Sequence, residues 1–343
     1  MHFSLALTLK KLTLLPSETY RVRKAFFKDP SMTEFQEQLV VAVSSRALFN
    51  LEAEHQLFEK EGYAAFRDYQ LKNQNNPLKP GVAFPFVKRL LGLNQLFGDL
   101  APFRVVVLSR NSPETARRFF QSCRHYSLPI NAGAFTSGHS TFPYIQAFRV
   151  SLFLSANPEN VEKAIRAGLP AGLVLPNPIP DTEDSNDPTL KIAFDFDGVL
   201  ADDESEREFQ KEGLRGFQRL EEEKASTPHS PGPLRDLFQK LSAFQRLDYQ
   251  LHGQSDPYFN PAIRISIVTA RGAQSEARLI TTLKSFGMNA AELFLLDGLS
   301  KTAILEAIRP HIFFDDQVRH LAAVETSIPS VLVPFGIHNT QHK

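Results

Sequence analysis

"LKIAFDFDGVLADDESE", residues 190–206, decides the fold, because it runs from a β-type apolar stretch directly into a crowd of carboxylates. Asp195, Asp197, Asp202, Asp203, Glu204 and Glu206 all fall within it, in a chain whose Lys plus Arg and Asp plus Glu both total 38. A second stretch, "VAVSSRALFNLEAE" (41–54), has the same shape without the first two acids. Acids at the end of a buried-type strand lie where an open α/β sheet places its ligand crevice. Taken alone, however, Asp-x-Asp-Gly is often only a turn.

Further strand-like runs lie on either side. "LVVAVSS", "FRVVVLS" and "VSLFLSA" alternate with helical patterns in the first half, and "LKIAFDF", "IRISIVTA" and "HIFFDD" do so in the second. That alternation predicts an α/β fold of parallel sheets flanked by helices. At 343 residues, two domains with a core each are expected. The Pro- and Asp-rich "PNPIPDTEDSNDP" (176–188) separates the halves and reads as a linker.

The halves also match each other in order. "FEKEG" (58–62) matches "FQKEG" (209–213) at an offset of 209 − 58 = 151, which also pairs Pro80-Gly81 with Pro231-Gly232. Arg110 matches Arg271 at 271 − 110 = 161, and "LFLSAN" (152–157) matches "IFFDDQ" (312–317). An ordered series with little drift implies duplication. In this alignment Asp195 becomes Ser44, Asp197 Arg46, Thr269 Leu108, Lys301 Thr141, and Asp315-Asp316 become Ser155-Ala156. The first copy therefore reads as degenerate. Arg46 and Arg110 mark a candidate regulatory site for a phosphate-bearing ligand, the alternative being a structural lobe with surface arginines.

Composition removes several function classes. A zero net charge provides no broad field for nucleic acid or an anionic membrane. One cysteine, Cys123, and ten histidines without paired spacing exclude a disulfide framework and a zinc pattern, which suits a reducing cytoplasm. "MHFSLALTLKKLTLLP" (1–16) lacks a basic start and is interrupted by Lys10 and Lys11, so it reads as a strand or arm and not a targeting signal. No apolar run approaches the roughly 20 residues of a membrane span.

Three later strand ends complete a constellation. "SIVTARG" ends in Thr269, "DGLSKTAIL" presents Lys301 near a helix start, and "HIFFDDQ" ends in Asp315 and Asp316. Asp-x-Asp, Thr, Lys and Asp-Asp in this order resemble the four motifs of the haloacid-dehalogenase-like phosphohydrolases. A phosphate-receiver domain uses the same residue types in another order. The resemblance implies two tandem haloacid-dehalogenase-like Rossmannoid units, each with a helical cap insertion. The expected limits are an arm at 1–37, a degenerate unit at 38–178, a linker at 179–189 and a catalytic unit at 190–343, with its cap at about 203–260.

The chemistry explains the residue types. Phosphoryl transfer needs a nucleophile, charge neutralisation and a proton for the leaving group. Asp195 is the expected nucleophile, forming an aspartyl-phosphate, and Asp197 the acid and then base. Crowded carboxylates with all-oxygen ligation call for Mg²⁺. The resemblance assigns it to Asp195, Asp197 through its carbonyl, Asp315, and Asp316 through water. Thr269, Ala270, Arg271, Lys301 and Glu204 are expected to bind phosphate or substrate. Asp202 and Glu206 read as a solvated first helical turn, and Phe209, Phe217 and Phe238 as cap core.

"SSRALFN", "NNPLKPGVAFPFVKRL", "LFLSAN", "DDESE", "VTAR" and "IRPHIFFDDQ" further resemble the cytosolic 5'-nucleotidase I family over about residues 38–336. The resemblance implies Mg²⁺-dependent hydrolysis of nucleoside 5'-monophosphates, AMP or deoxynucleotides, with ADP or ATP activation in animal members. Those members differ after the nucleophile, where this chain reads "DFDGV", and carry a long N-terminal extension, so base preference and activation are not carried over. The expected partners are a nucleoside monophosphate and, as an open alternative, a second copy of the chain, with no nucleic acid and no membrane. A phosphatase of another small ester, such as a sugar phosphate, and a non-catalytic nucleotide-binding regulator are the rival readings.

Overall fold

The computed structural model describes residues 38–175, 187–254, 256 and 258–339. The expected arm (1–37) and most of the linker lie outside these residues. The strands are β1 (Leu39–Val43), β2 (Phe49–Asn50), β3 (Lys79–Pro80), β4 (Phe103–Ser109), β5 (Gly133–Phe135), β6 (Leu152–Ser155) and β7 (Ala171–Val174). They continue as β8 (Leu190–Phe194), β9 (Ile263–Thr269), β10 (Glu292–Leu295), β11 (Ile312–Asp315) and β12 (Ser330–Leu332). Each predicted run forms a strand, because Val, Ile, Leu and Phe fill both faces of strands that helices cover on either side.

Ten strands join in one sheet, ordered β10-β9-β8-β11-β12-β7-β6-β1-β4-β5. All neighbours are parallel except β7 and β12, which pair antiparallel through Leu173–Leu332 and Val174–Val331. The order β10-β9-β8-β11-β12 recurs across this seam as β5-β4-β1-β6-β7. Within each half the chain leaves its first strand toward one edge and returns to the other side, creating a crevice at the carboxyl ends of β1 and β6, and of β8 and β11.

Alternate residues face opposite sides of a strand, and the two sides are built differently. Val41, Val43, Leu154, Ile192, Phe194, Ile265 and Phe314 belong to one apolar cluster running across both halves. On the opposite face Ala42, Val106 and Phe153 form one cluster, and Ala193, Val268 and Phe313 another. The two halves thus share an apolar cluster on one face and have separate clusters on the other. The shared face is covered by helices, including α2 (Phe84–Gly92) and α4 (Arg235–Asp248); α1 (Glu52–Lys72) and α3 (Glu204–Glu223) follow β2 and β8 respectively. On α4, Phe238 packs against Phe194 of the second half and Phe244 against Phe103 of the first, at centroid distances of 5.3 and 4.6 Å.

Two expectations change here. The cap interval of about 203–260 divides, because α4 is a sheet-covering helix and Phe238 belongs to the sheet core. Phe209 is exposed, and Phe217 lies under the Arg271 guanidinium at 5.2 Å. The alignment also shifts by one residue at β4. Val43 pairs with Val107 and Phe194 with Ile267, an offset of 267 − 107 = 160, so Thr269 falls on Ser109 and not Leu108, and Arg271 on Asn111 and not Arg110. A hydroxyl therefore stands at both of these strand ends.

Candidate active site

β8 ends at Phe194, and the chain turns immediately through Asp195. The Asp195 amide donates to Phe314 O at 2.8 Å, tying the turn to β11, while Asp195 Oδ1 accepts the Phe196 amide at 2.7 Å. Gly198 closes the turn at φ +71°, and a Cβ there would lie 2.6 Å from Asp316 Oδ2. Only a residue without a side chain lets the loop pass so close to the acid.

β9 delivers Thr269, β11 delivers Asp315 and Asp316, and Lys301 stands just before helix Thr302–Ile308. All five of Asp195, Thr269, Lys301, Asp315 and Asp316 are buried. Lys301 Nζ lies 2.7 Å from both Asp195 Oδ2 and Asp315 Oδ2. His320, in the helix after β11, places Nδ1 3.1 Å from Asp315 Oδ2, and the Gln317 amide donates to Asp315 Oδ1 at 2.8 Å. Asp316 Oδ1 is buried with no hydrogen-bond partner.

Burial works against every charge in this cluster. It pushes the Asp195 carboxyl up despite Lys301, with Asp315 and Asp197 adding to the rise. It pushes Asp316 up as well, reinforced by Asp195 and Asp315. In Asp315 burial is outweighed by Lys301 and His320, which hold the carboxyl below its usual range. In Lys301 burial is outweighed by the two carboxylates, which keep the ammonium charged. One lysine cannot balance all three buried carboxyls when they ionise together.

Asp195, Asp315 and His320 bring ligand atoms within 4.8 Å of one another, a spacing suited to a metal ion. With the orphaned Asp316 oxygen beside them, these residues fit a hard divalent cation, which would supply the missing positive charge. Sequence reasoning missed His320. Its signal was an Asp-Asp pair followed by a histidine one helical turn into the next element.

The second aspartate has a different environment. Arg271 grips the Asp197 carboxylate with two bonds, Nε to Oδ2 and Nη2 to Oδ1, both 2.7 Å. The same guanidinium bonds Glu221 of α3 through Nη1 and lies 3.0 Å from His229 Nε2. Glu221 also accepts from Arg278 at 3.0 Å and from Ser205 Oγ at 2.6 Å. Arginine and hydrogen bonds outweigh burial and hold Glu221 well below the usual carboxylate range. The structure thus places Arg271, expected to bind substrate, as the clamp between Asp197 and α3. Glu221 and His229 went unnoticed in the sequence because their partners lie far along the chain.

The remaining predicted residues divide. Ala270 is exposed next to the site. Glu204, expected to bind substrate, is engaged by Arg278 at 2.7 Å and by Lys224, within the ion network of α3. The reading of Asp202 and Glu206 as solvated is corrected: Asp202 Oδ1 is buried, and Glu206 lies 3.0 Å from His338 near the end of the described chain. Asp203 joins that closure, accepting the Ile337 amide at 2.8 Å. In the other half, Arg46 pairs with Glu52 at 2.9 Å, and Arg110 donates to Gly138 O at 2.9 Å.

No helix among the described residues is long and apolar enough to cross a membrane. The 5'-nucleotidase family model matches residues 31–340. Human cytosolic 5'-nucleotidase 1B is 33% identical over 317 residues, which are 89% of this chain and 51% of that protein, so the chain spans about half the length of this curated relative. A match that runs through both halves of the sheet and through every motif of the buried cluster shows that the chain belongs to the 5'-nucleotidase family.

Proposed function

We propose that the chain is a cytoplasmic, Mg²⁺-dependent 5'-nucleotidase, which hydrolyses nucleoside 5'-monophosphates such as AMP or deoxynucleotides to nucleoside and phosphate. The observation that carries the reading is the convergence of Asp195, Thr269, Lys301, Asp315 and Asp316, drawn from four separate chain segments, on one buried crevice. Family membership supports the substrate class.

Asp195 attacks phosphorus as the P–O bond to the nucleoside breaks, forming an aspartyl-phosphate. Asp197 protonates the departing 5'-oxygen, then accepts the proton of the water that cleaves the acyl phosphate. Arg271 engages both Asp197 oxygens in this conformation. Proton donation in the first step requires that grip to loosen. Thr269 donates a hydroxyl to the phosphoryl oxygens, and Lys301 offsets the charge that accumulates between Asp195 and Asp315. Asp195, the Asp197 carbonyl, Asp315 and, through water, Asp316 would hold Mg²⁺, with His320 bracing Asp315. When bound, the ion supplies the charge neutralisation that one lysine leaves incomplete.

In the same reading the two halves are tandem copies of one haloacid-dehalogenase-like unit, at 38–178 and 190–343, and the first copy has lost its chemistry. The recurring strand order supports this, as do the kinks in α1 at Gly62 and in α3 at Gly213, again 213 − 62 = 151 apart. The cap is then α3 alone.

The test is phosphate release with Mg²⁺ from nucleoside 5'-monophosphates, 3'-monophosphates and sugar phosphates, beside an Asp195→Asn control. Release from 5'-monophosphates that disappears in the control and on chelation with EDTA is expected. Activity confined to sugar phosphates, or absent throughout, overturns the reading.

A further inference from the structure

At the carboxyl ends of β1, β4 and β6, in the first half, lies a cavity of about 520 Å³. It occupies the same place in its half-sheet as the buried acids do in theirs, at the crevice where strand order reverses. Its volume falls within the range of small-ligand pockets.

Its lining is chemically biased. Arg46, Arg110 and His55 face it, and among the described residues no carboxylate lines it. Arg46 uses Nε and Nη2 on Glu52, Arg110 uses Nε on Gly138 O with Nη1 3.9 Å from Glu159, and His55 pairs with Glu59 at 3.2 Å, so each basic group has a carboxylate neighbour outside the lining while neither guanidinium exhausts its five donors. The Arg46–Glu52 pair is solvent-accessible on both sides and therefore weak enough to be exchanged for a better anion. Ser109, Asn111 and Ser155 supply a polar floor at the strand ends.

One wall is aromatic. Phe58, Tyr63 and Phe66 come from α1 on both sides of its kink at Gly62, and His55 stacks parallel to Phe58 at 6.5 Å and 9°. Phe58 and Tyr63 remain 45% and 48% exposed, which core packing does not explain. Aromatic rings and guanidinium groups lining one cavity suit a planar ring joined to a phosphate.

The position of Asp195 is taken by Ser44, whose Oγ accepts the amides of Ala47 and Ala156 at 3.2 and 3.3 Å. Asp197 is replaced by Arg46. Where the second half gathers acids that require a cation before a phosphate can approach, the first half carries its cation covalently.

We propose that this cavity is a second ligand site, which binds a nucleoside monophosphate without a divalent cation and without hydrolysing it. The proposal rests on the lining of the first half and stands or falls independently of turnover in the second.

The chain contains no tryptophan, so Phe58→Trp places a unique fluorophore on the aromatic wall. In EDTA, AMP is expected to produce a saturable fluorescence change, with adenosine and ribose 5-phosphate each binding at least about tenfold more weakly. Adding Arg46→Ala and Arg110→Ala should weaken AMP by at least about tenfold, with the melting temperature checked to exclude misfolding. Equilibrium dialysis of labelled AMP in EDTA against the chain with and without the two arginine substitutions repeats the comparison without the reporter. No saturable AMP binding by either method, equal response to adenosine, or affinity unaffected by loss of both arginines overturns the proposal.

Discussion

Arg271 is the residue on which the site's electrostatics turn, since it neutralises Asp197 and Glu221 together from a fully buried position. Removing one member of a buried ion network leaves the others uncompensated. Arg271→Met is expected to lower stability by about 3 kcal/mol in urea unfolding, and Arg271→Lys to lose much of that stability too, because an ammonium cannot make the two-bond grip on Asp197. A second residue ties stability to pH. Burial lowers His311 from its ordinary 6.5 to about 4, and its neutral Nδ1 accepts the Lys191 amide at 3.0 Å. Between those values the unfolded chain binds the proton and the folded chain does not, so stability falls as pH drops from 6.5 to about 4. The expected contribution is roughly 3 kcal/mol, constant above 6.5 and absent from the pH profile of His311→Asn in urea denaturation. The motif residues were legible singly in the sequence because strand-end position and residue type define their chemistry. The role of Arg271 was not, because a guanidinium's partner is chosen in space.

At the scale of elements, α3 carries Glu221 to the candidate site. Glu221 bonds Arg271 from the part of the helix that follows its break at Gly213, where φ is +67° and ψ −163°. That backbone region is essentially reserved for glycine, and a side chain there costs of order 1–3 kcal/mol. Gly213→Ala is expected to destabilise the chain by about that amount in urea titrations and to reduce phosphate release as Glu221 shifts, although an added Cβ meets nothing within 4 Å. The "FEKEG" and "FQKEG" strings, legible in the sequence only as a repeat, each end on the glycine that makes a kink. The separate fates of α3 and α4 were not visible, because helical periodicity says which face is apolar and not what that face meets.

The whole molecule is held as one sheet by the β7–β12 seam and by the apolar face beneath α2 and α4. A Cβ on Gly172 of β7 would lie 2.2 Å from Val331 Cγ1 of β12, so the seam admits no larger residue there. Gly172→Ala is expected to cost about 1–3 kcal/mol, with a favourable coupling of at least about 0.5 kcal/mol to Val331→Ala in a double-mutant cycle. Both halves should lose structure in the same transition; separate transitions would show that the shared face does not couple them.

By itself the sequence determined the parallel α/β class, six of the strands, the internal match of the halves and the order of the acids, threonine and lysine. These follow from local pattern: apolar runs long enough for buried strands, turn residues after them, and residue types that phosphoryl transfer requires at strand ends. Only the tertiary structure decided that the halves share one sheet, that the alignment at β4 places Ser109 and not Leu108 under Thr269, and that Arg271 serves Asp197 and Glu221. β7 and β12 are four and three residues long, too short to announce a partner, and their pairing is selected by how two finished half-sheets meet. The ion network has the same origin, because buried charges select partners by distance in the folded state, and distance along the chain does not encode it.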